Sequence, residues 1–363
     1  MNDELQNRIS TIRTEIDEID QKLLELLNQR ARCAQKVGEI KAEYGDAGFV
    51  YRPEREAQVL RRIQKMNHGP LPDDSVTWFF REVMSACLSL EKPLDVAYLG
   101  PSGTFSESAA IKHFGHATRL LAQDSIDDVF RTLEAARADY AVVPIENSTE
   151  GAVGRTLDLL MATQLQICGE VVLRIHQHLL SNEASLAQVT KVYSHAQSLA
   201  QCHEWLNRAL PHAQRIPTSS NAEAAQLAAA QAGAAAIAGE LAAQRYELPK
   251  LAENIEDGPN NTTRFVILGR QGVGPSGQDK TSLIMSAPNR TGSLYDLLAP
   301  FSSFGVSMTR LESRPARHTL WEYVFYVDIE GHQNDKPVAI ALAELARNAA
   351  YLKVLGSYPV AVY

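Results

Sequence analysis

Cysteine is scarce in this sequence and what there is lies scattered: four residues, at 33, 87, 168 and 202, with no CxxC pair. That spacing argues against a disulfide framework or a zinc knuckle and for free thiols in a reducing compartment, the cytoplasm. Long hydrophobic runs are lacking. Nothing approaches about 18 uninterrupted apolar residues, so no segment is expected to span a membrane. The opening residues, MNDELQNRIS, are polar and acidic, without the basic and apolar regions of a signal peptide. Lys/Arg tracts are absent and the net charge is −8, so nucleic acid is not an expected partner. The ten histidines show no HExxH-type spacing, and no metal site is expected. An anionic ligand therefore has to be met by cations placed locally against the global field.

What is present is an ordinary globular composition, 45 % hydrophobic and 21 % charged, in a chain of 363 residues. That length calls for two or three domains. Three textures divide it, predicting boundaries at 1–92, 94–270 and 280–363. The first segment is helical throughout: a long helix from near Asp3 to about Tyr44, a second from Pro53, and a third over about Ser75 to Leu90. YGDAGFVY forms the first connection. From Leu94 the chain alternates strands and helices, with LDVAYLG, YAVVPIEN, ICGEVVLRIHQHLL, KVYSH, AAAIAG and TRFVILG as strand-bearing stretches, which is α/β. After the linker RQGVGPSGQDK, the order is βαββαβ, an α+β ferredoxin-like arrangement.

The long helix carries a heptad seam: Leu5, Ile9, Ile12, Ile16, Ile19, Leu23, Leu26, Arg30, Cys33, Val37 and Ile40, in steps of four and three. A helix of this length runs about 60 Å, and two short helices cannot cover it, so a second copy of the chain is expected along it. Arg30 interrupts the apolar seam. Lys41 lies eleven residues on, about three turns and about 16 Å away on a shared face, so the two side chains can grip one small dianion. Arg13 lies about 25 Å before Arg30 and serves such a site only across an antiparallel dimer. On the second helix, YRPERE adds Arg55 and Glu56. The alternative for Arg30 is a neighbouring carboxylate or a snorkelling position.

GPSGTFSESAA joins a strand to a helix, a place where backbone N–H groups and hydroxyls meet anions. PIENSTEG ends a strand with Glu146 and Asn147, which suits either a site or an Asx turn. NNTTRF sets two threonines and an arginine at a strand entrance.

The helical motifs IRTEIDEIDQKLLELLNQRARCAQKVGEIK and YRPERE resemble an all-α chorismate mutase of the kind fused to prephenate dehydratase. That resemblance implies that Arg13 from the partner subunit, Arg30, Lys41 and Arg55 hold the carboxylates and ether oxygen of chorismate. It assigns the ring hydroxyl to Glu56 and the pocket wall to Cys87 and Glu91. Two departures stand out. Arg52 occupies a position where well-known members are acidic, and Cys87 and Glu91 replace the usual Ser and Gln. GPSGTFSESAA, PIENSTEGAVGRTLDLL, YSHAQSLAQC, SSNAEAA and NNTTRFVILG, in that order, resemble prephenate dehydratase, implying a two-lobed α/β fold similar to periplasmic binding proteins. The resemblance makes Thr263 the catalytic residue and adds Glu146, Asn147, Ser148, Ser194, Gln201 and Arg264 as substrate-binding positions. The last segment resembles the ACT domain of phenylalanine-regulated dehydratases, with ESRP intact and GAL present as Gly-Ser-Leu. It implies an L-phenylalanine site at Asn289, Gly292, Ser293, Leu294, Glu312, Ser313 and Arg314, between two such domains in a homodimer or dimer of dimers. Neither reaction implied, rearrangement of chorismate or decarboxylation and dehydration of prephenate, requires a cofactor. Two other functions stay open on the residues alone: an amino-acid-responsive binding protein, and a dehydratase that prefers arogenate.

Overall fold

The computed structural model describes residues 2–44, 51–288, 290–315 and 323–362. The YGDAGFVY connection, apart from its two tyrosines, and the effector candidate Asn289 lie outside the described residues. The first segment is three helices: α1 (Asn2–Glu43), α2 (Pro53–Met66) and α3 (Asp73–Glu91). Pro53 opens α2, where its missing N–H costs no hydrogen bond. Along α1 the residues that gain cover are Leu27, Arg30, Ala31, Ala34, Gly38 and Lys41, a stripe at helical spacing. This stripe lies against α3. A Cβ on Gly38 would come within 2.7 Å of Glu91 Cγ, so glycine permits the close crossing. The apolar positions of the heptad seam are bare: Ile12 is 54 % exposed and Leu26 61 %. Every residue from Glu4 to Leu26 is exposed.

The α/β segment folds as two lobes. The first holds β1 (Asp95–Leu99), α4 (Phe105–Phe114), β2 (Arg119–Gln123), α5 (Ile126–Glu134), β3 (Tyr140–Asn147), β4 (Gly151–Ala152), α6 (Gly154–Ala162) and β5 (Gln166–Arg174). The chain then crosses to a second lobe. This contains β6 (His178–Ser181), β7 (Lys191–His195), α7 (Ala196–Gln201), α8 (His203–Ala209), β8 (Gln214–Thr218), α9 (Asn221–Ala230), β9 (Ala234–Ala238), α10 (Glu240–Arg245) and β10 (Lys250–Ala252). It returns to the first lobe as β11 (Thr262–Gly269), which inserts between β3 and β5 in the order β2-β1-β3-β11-β5. The second sheet runs β10-β6-β9-β7-β8. ICGEVVLRIHQHLL is thus not one strand. It breaks at Ile175–Gln177 because its two halves pair in different sheets. The two crossing segments run side by side, Ile175 N donating to Asn261 O at 2.8 Å and Ile255 N to Gln177 O at 2.8 Å. The Ala-rich run 222–243 packs α9 onto its sheet, with Ala224, Ala225 and Ala228 fully buried, since small side chains let helix and strand approach.

The last segment is β12 (Asp279–Ser286), α11 (Ser293–Ser303), β13 (Met308–Pro315), β14 (Tyr323–Glu330), α12 (Lys336–Asn348) and β15 (Tyr351–Pro359), with sheet order β13-β14-β12-β15. The expected βαββαβ order is therefore observed. One face of this sheet buries Leu283 and Val327 against the helices, Leu345 of α12 among them. The other joins the core of the first lobe through Ile284, Tyr326 and Tyr358. At Gly356 an added Cβ would lie 2.2 Å from Ile167 O, so only glycine lets β15 pass this close to β5.

Candidate active sites

The cleft between the two lobes has a volume of about 1540 Å³, its open mouth included. Its floor is a cross-strand pair. Thr263 on β11 stands opposite Asn147 on β3. Asn147 Nδ2 donates to Thr263 Oγ1 at 2.8 Å and to Asn261 Oδ1 at 2.9 Å. Asn147 Oδ1 accepts from the backbone N–H groups of Thr149 and Glu150, at 3.0 and 3.1 Å. The Asx turn and the site are therefore the same feature. From the second lobe, Gln201 Oε1 accepts from Asn261 Nδ2 at 2.9 Å, and its buried Nε2 has no hydrogen-bond partner among the described residues. Ser198 Oγ, Asn221 Nδ2 and Gln177 Nε2 form a second cluster, at 2.9 and 3.0 Å. The N-termini of α4 and α9 face the cleft from opposite lobes, capped by Thr104 and Ser220. Their partial positive charge suits carboxylates. Glu223, also at the cleft, is held by the N–H and hydroxyl of Ser219, which keep its carboxyl below the usual range.

Two positions assigned to this substrate site are corrected. Strand side chains alternate, so the neighbours of Thr263 and Asn147 point through the sheet to its other face. Arg264 there donates to Glu170 at 2.8 Å, to Asp328 at 2.5 Å and to Tyr358 at 2.8 Å. Burial alone would lower its pKa, but Tyr358, Asp328 and Glu170 outweigh this and raise it. Glu146 meets Arg310 of β13 at 2.8 Å. Both residues bind the C-terminal segment, not the cleft. Ser148 and Ser194 support from behind. Ser148 Oγ donates to Asn260 O and accepts from Thr262 N, and the buried Ser194 lies 3.0 Å from Asn221 Oδ1. Sequence reasoning missed Gln177, Ser198, Asn221 and Asn261. The last stood within the quoted NNTTRF, and SSNAEAA contained Asn221.

In the helical segment, Lys41 Nζ meets Glu91 Oε1 at 3.1 Å where α1 crosses the end of α3. Arg30 is half-buried on the same stripe of α1, and Cys87 is buried on α3. Arg55 is exposed, as is Arg13 far along the bare half of α1. Glu56 does not join Lys41 in this chain. It faces Arg81 at 3.4 Å, beside a cavity walled by α2, α3, α4 and the C-terminal tail. Burial pushes its carboxyl pKa up, against the pull of Arg81. Arg81, unassigned from sequence, also donates to Val362 O at 2.9 Å.

In the C-terminal segment, Gly292 caps α11 with φ +80°, a conformation that favours glycine, and leads into Ser293 and the exposed Leu294. On the edge strand β13, Ser313 is exposed, while Arg310, Glu312 and Arg314 share the more buried face. Arg314 donates to Gly154 O at 2.7 Å, so it is turned to the α/β segment and away from the Ser313 face.

Family profiles match in the same order: chorismate mutase type II over residues 12–92, prephenate dehydratase over 96–273 and the ACT domain over 281–347. A bifunctional chorismate mutase/prephenate dehydratase of Neisseria gonorrhoeae is 57 % identical over 353 residues, covering 96 % of each chain. The Pseudomonas aeruginosa protein of the same name is 50 % identical, covering 98 % of this chain and 99 % of its own. Among solved structures, prephenate dehydratase in complex with L-Phe from Arthrobacter aurescens superposes with a TM-score of 0.67 and 36 % identity, over 73 % of this chain and 90 % of that one. With three profiles in register and relatives aligned over 96 to 99 % of each chain, the chain belongs to the bifunctional chorismate mutase/prephenate dehydratase family and carries an ACT domain.

Proposed function

We propose that this protein converts chorismate to prephenate at its helical segment and prephenate to phenylpyruvate in the interlobe cleft, under feedback inhibition by L-phenylalanine. The hydrogen bond from Asn147 Nδ2 to Thr263 Oγ1 carries the dehydratase reading. A hydroxyl that already accepts from an amide keeps its own proton free. That O–H can donate a hydrogen bond to the hydroxide departing from prephenate, while helix N-termini and the Gln201 amide hold the carboxylates. Loss of carbon dioxide and hydroxide aromatises the ring, so no nucleophile is needed. The mutase step needs only a compact conformer held by cations: Arg30 and Lys41 of one chain, Arg55, and Arg13 of the partner. We assign the free thiols to an enzyme of a reducing compartment, the cytoplasm; among the described residues no helix is long and apolar enough to cross a membrane. The bare heptad seam supports a homodimer, with a dimer of dimers as its further assembly. A spectroscopic assay for phenylpyruvate from chorismate, with and without phenylalanine, tests the whole reading. No phenylpyruvate would overturn it.

Glu91 moderates the mutase site. A carboxylate offers acceptors only and holds Lys41, whereas an amide donates to the ether oxygen and leaves the ammonium to the substrate. Glu91→Gln should therefore raise mutase kcat/KM by about 2- to 5-fold, the worth of a partly exposed ion pair. A fall would make the ion pair part of the site's required geometry.

Feedback reaches the cleft through the back of the catalytic strands. Arg310 of β13 holds Glu146, next to Asn147, and Asp328 of β14 holds Arg264, next to Thr263. Phenylalanine at Gly292–Leu294 and the outer face of β13 shifts the sheet that carries both contacts. Arg310→Met should keep phenylalanine binding in calorimetry and weaken inhibition by about 5-fold or more. Inhibition unchanged in this variant would exclude the Glu146 contact as a route.

A further inference from the structure

The cleft's side-chain amides form a chain whose donor direction is set at one end. Asn147 Oδ1 faces two backbone N–H groups, of Thr149 and Glu150, and cannot exchange places with its own NH2 without opposing donor to donor. Its NH2 must then face Asn261, so Asn261 presents Oδ1 to it. Asn261 consequently presents its NH2 to Gln201, which must receive it on Oε1. The outcome is that Gln201 Nε2, buried and without a protein partner among the described residues, is left as a donor. Asn147 belongs to the first lobe, Gln201 to the second, and Asn261 to the segment that crosses between them.

We infer that Asn261 is a positioning residue of the dehydratase: it transmits donor polarity from the Asx turn of the first lobe to Gln201 of the second, so that Gln201 offers N–H and not C=O to the carboxylate or leaving hydroxide of the substrate. The inference rests on the proposed dehydratase site and adds a residue that touches no substrate itself. Asn261 is 6 % exposed and engaged at both ends of its amide. A residue serving only to fill space would need shape alone. Here the arrangement needs one acceptor and one donor in a fixed order, which asparagine supplies and aspartate does not.

Asn261→Asp keeps the shape and removes the donor. The ionised carboxylate accepts from Asn147 and also draws Gln201 Nε2 towards itself, turning Gln201 Oε1 to the substrate. Dehydratase kcat/KM should fall by about 10- to 100-fold at pH 8, the scale of one hydrogen bond to a charged group. The sign with pH follows. A protonated aspartic acid donates to Gln201 and accepts from Asn147, so the deficit relative to wild type should shrink as pH falls, once the uncatalysed rate is subtracted. Asn261→Ala should show a deficit of similar size with no such recovery. Combined with Gln201→Ala it should add nothing to the loss caused by Gln201→Ala alone. Gln201→Glu, which keeps Asn261, gives an independent reading: it accepts from Asn261, offers no donor when ionised, and should also recover on acidification. Chorismate turnover by the same chains monitors the integrity of the full-length protein. Identical deficits for Asn261→Asp and Asn261→Ala at every pH, or additive losses with Gln201→Ala, would overturn the role of Asn261. Full prephenate turnover by Gln201→Ala and Thr263→Ala would instead overturn the site itself.

Discussion

Thr263→Ala is expected to lower dehydratase kcat by about 10²- to 10³-fold, the effect of removing one preorganised donor from a reacting oxygen, and to leave the mutase untouched. Its hydroxyl sits at the entry of β11, opposite Asn147, and accepts from that amide at 2.8 Å. In the alanine variant Asn147 still donates to Asn261 and remains anchored by Thr149 and Glu150, so the fold loses about one hydrogen bond, about 1 kcal/mol. The loss of rate thus far exceeds the loss of structure. Thr263→Ser should restore much of the activity, since it returns the hydroxyl, whereas Thr263→Val should behave as alanine. Steady-state formation of phenylpyruvate from prephenate measures this, and survival of the alanine variant within about tenfold of wild type would make Thr263 a structural strand-entry residue.

The same strand shows how far sequence reasoning reaches. Thr263 and Asn147 were legible because the motifs that hold them resemble those of prephenate dehydratase; that they meet on one sheet is a finding of the structure. Arg264 and Glu146 stood in those motifs too, and contiguity made them candidates. A strand sends alternate residues to opposite faces, and the sequence does not reveal what covers the second face. Here it is the ACT sheet, which takes Arg264 to Asp328 and Glu146 to Arg310. Gln201 was legible from its motif, but Asn261 acquires its role only when two lobes and the crossing segment converge, a long-range geometry no local spacing encodes. ICGEVVLRIHQHLL stood as a single strand-bearing stretch, since hydrophobic pattern carries no sheet identity. In the helical segment the apolar positions of the heptad seam are exposed in this chain, and the long helix itself was legible. The stripe that packs on α3 was not, being set by small residues, Ala31, Ala34 and Gly38, between the polar ones. The βαββαβ order of the last segment followed directly from its alternation of patterns.

The bare seam carries the second large effect. Arg30→Ala should abolish mutase turnover, by about 10²-fold or more, and leave the dehydratase at its normal rate. Arg30 lies half-buried on the stripe of α1 that also carries Lys41, so its guanidinium can reach a ligand held by that lysine. Arg13 cannot do so in the same chain, being about 25 Å away along the helix. From Glu4 to Leu26 α1 is exposed on every side, an apolar surface that the proposed homodimer would cover. In the proposed homodimer, a twofold antiparallel pairing of these helices would place each chain's Arg13 near the other's Arg30. Arg13→Ala and Arg30→Ala, each inactive alone, should then complement. In a mixed dimer one site has lost both arginines and the other has both. Random exchange of equal amounts makes half the dimers mixed, so about one quarter of wild-type mutase activity should return. Measuring chorismate consumption before and after exchange, with tagged protomers to prove that mixed dimers form, tests this. Mixed dimers with no recovered activity would confine the site to one chain and remove Arg13 from it.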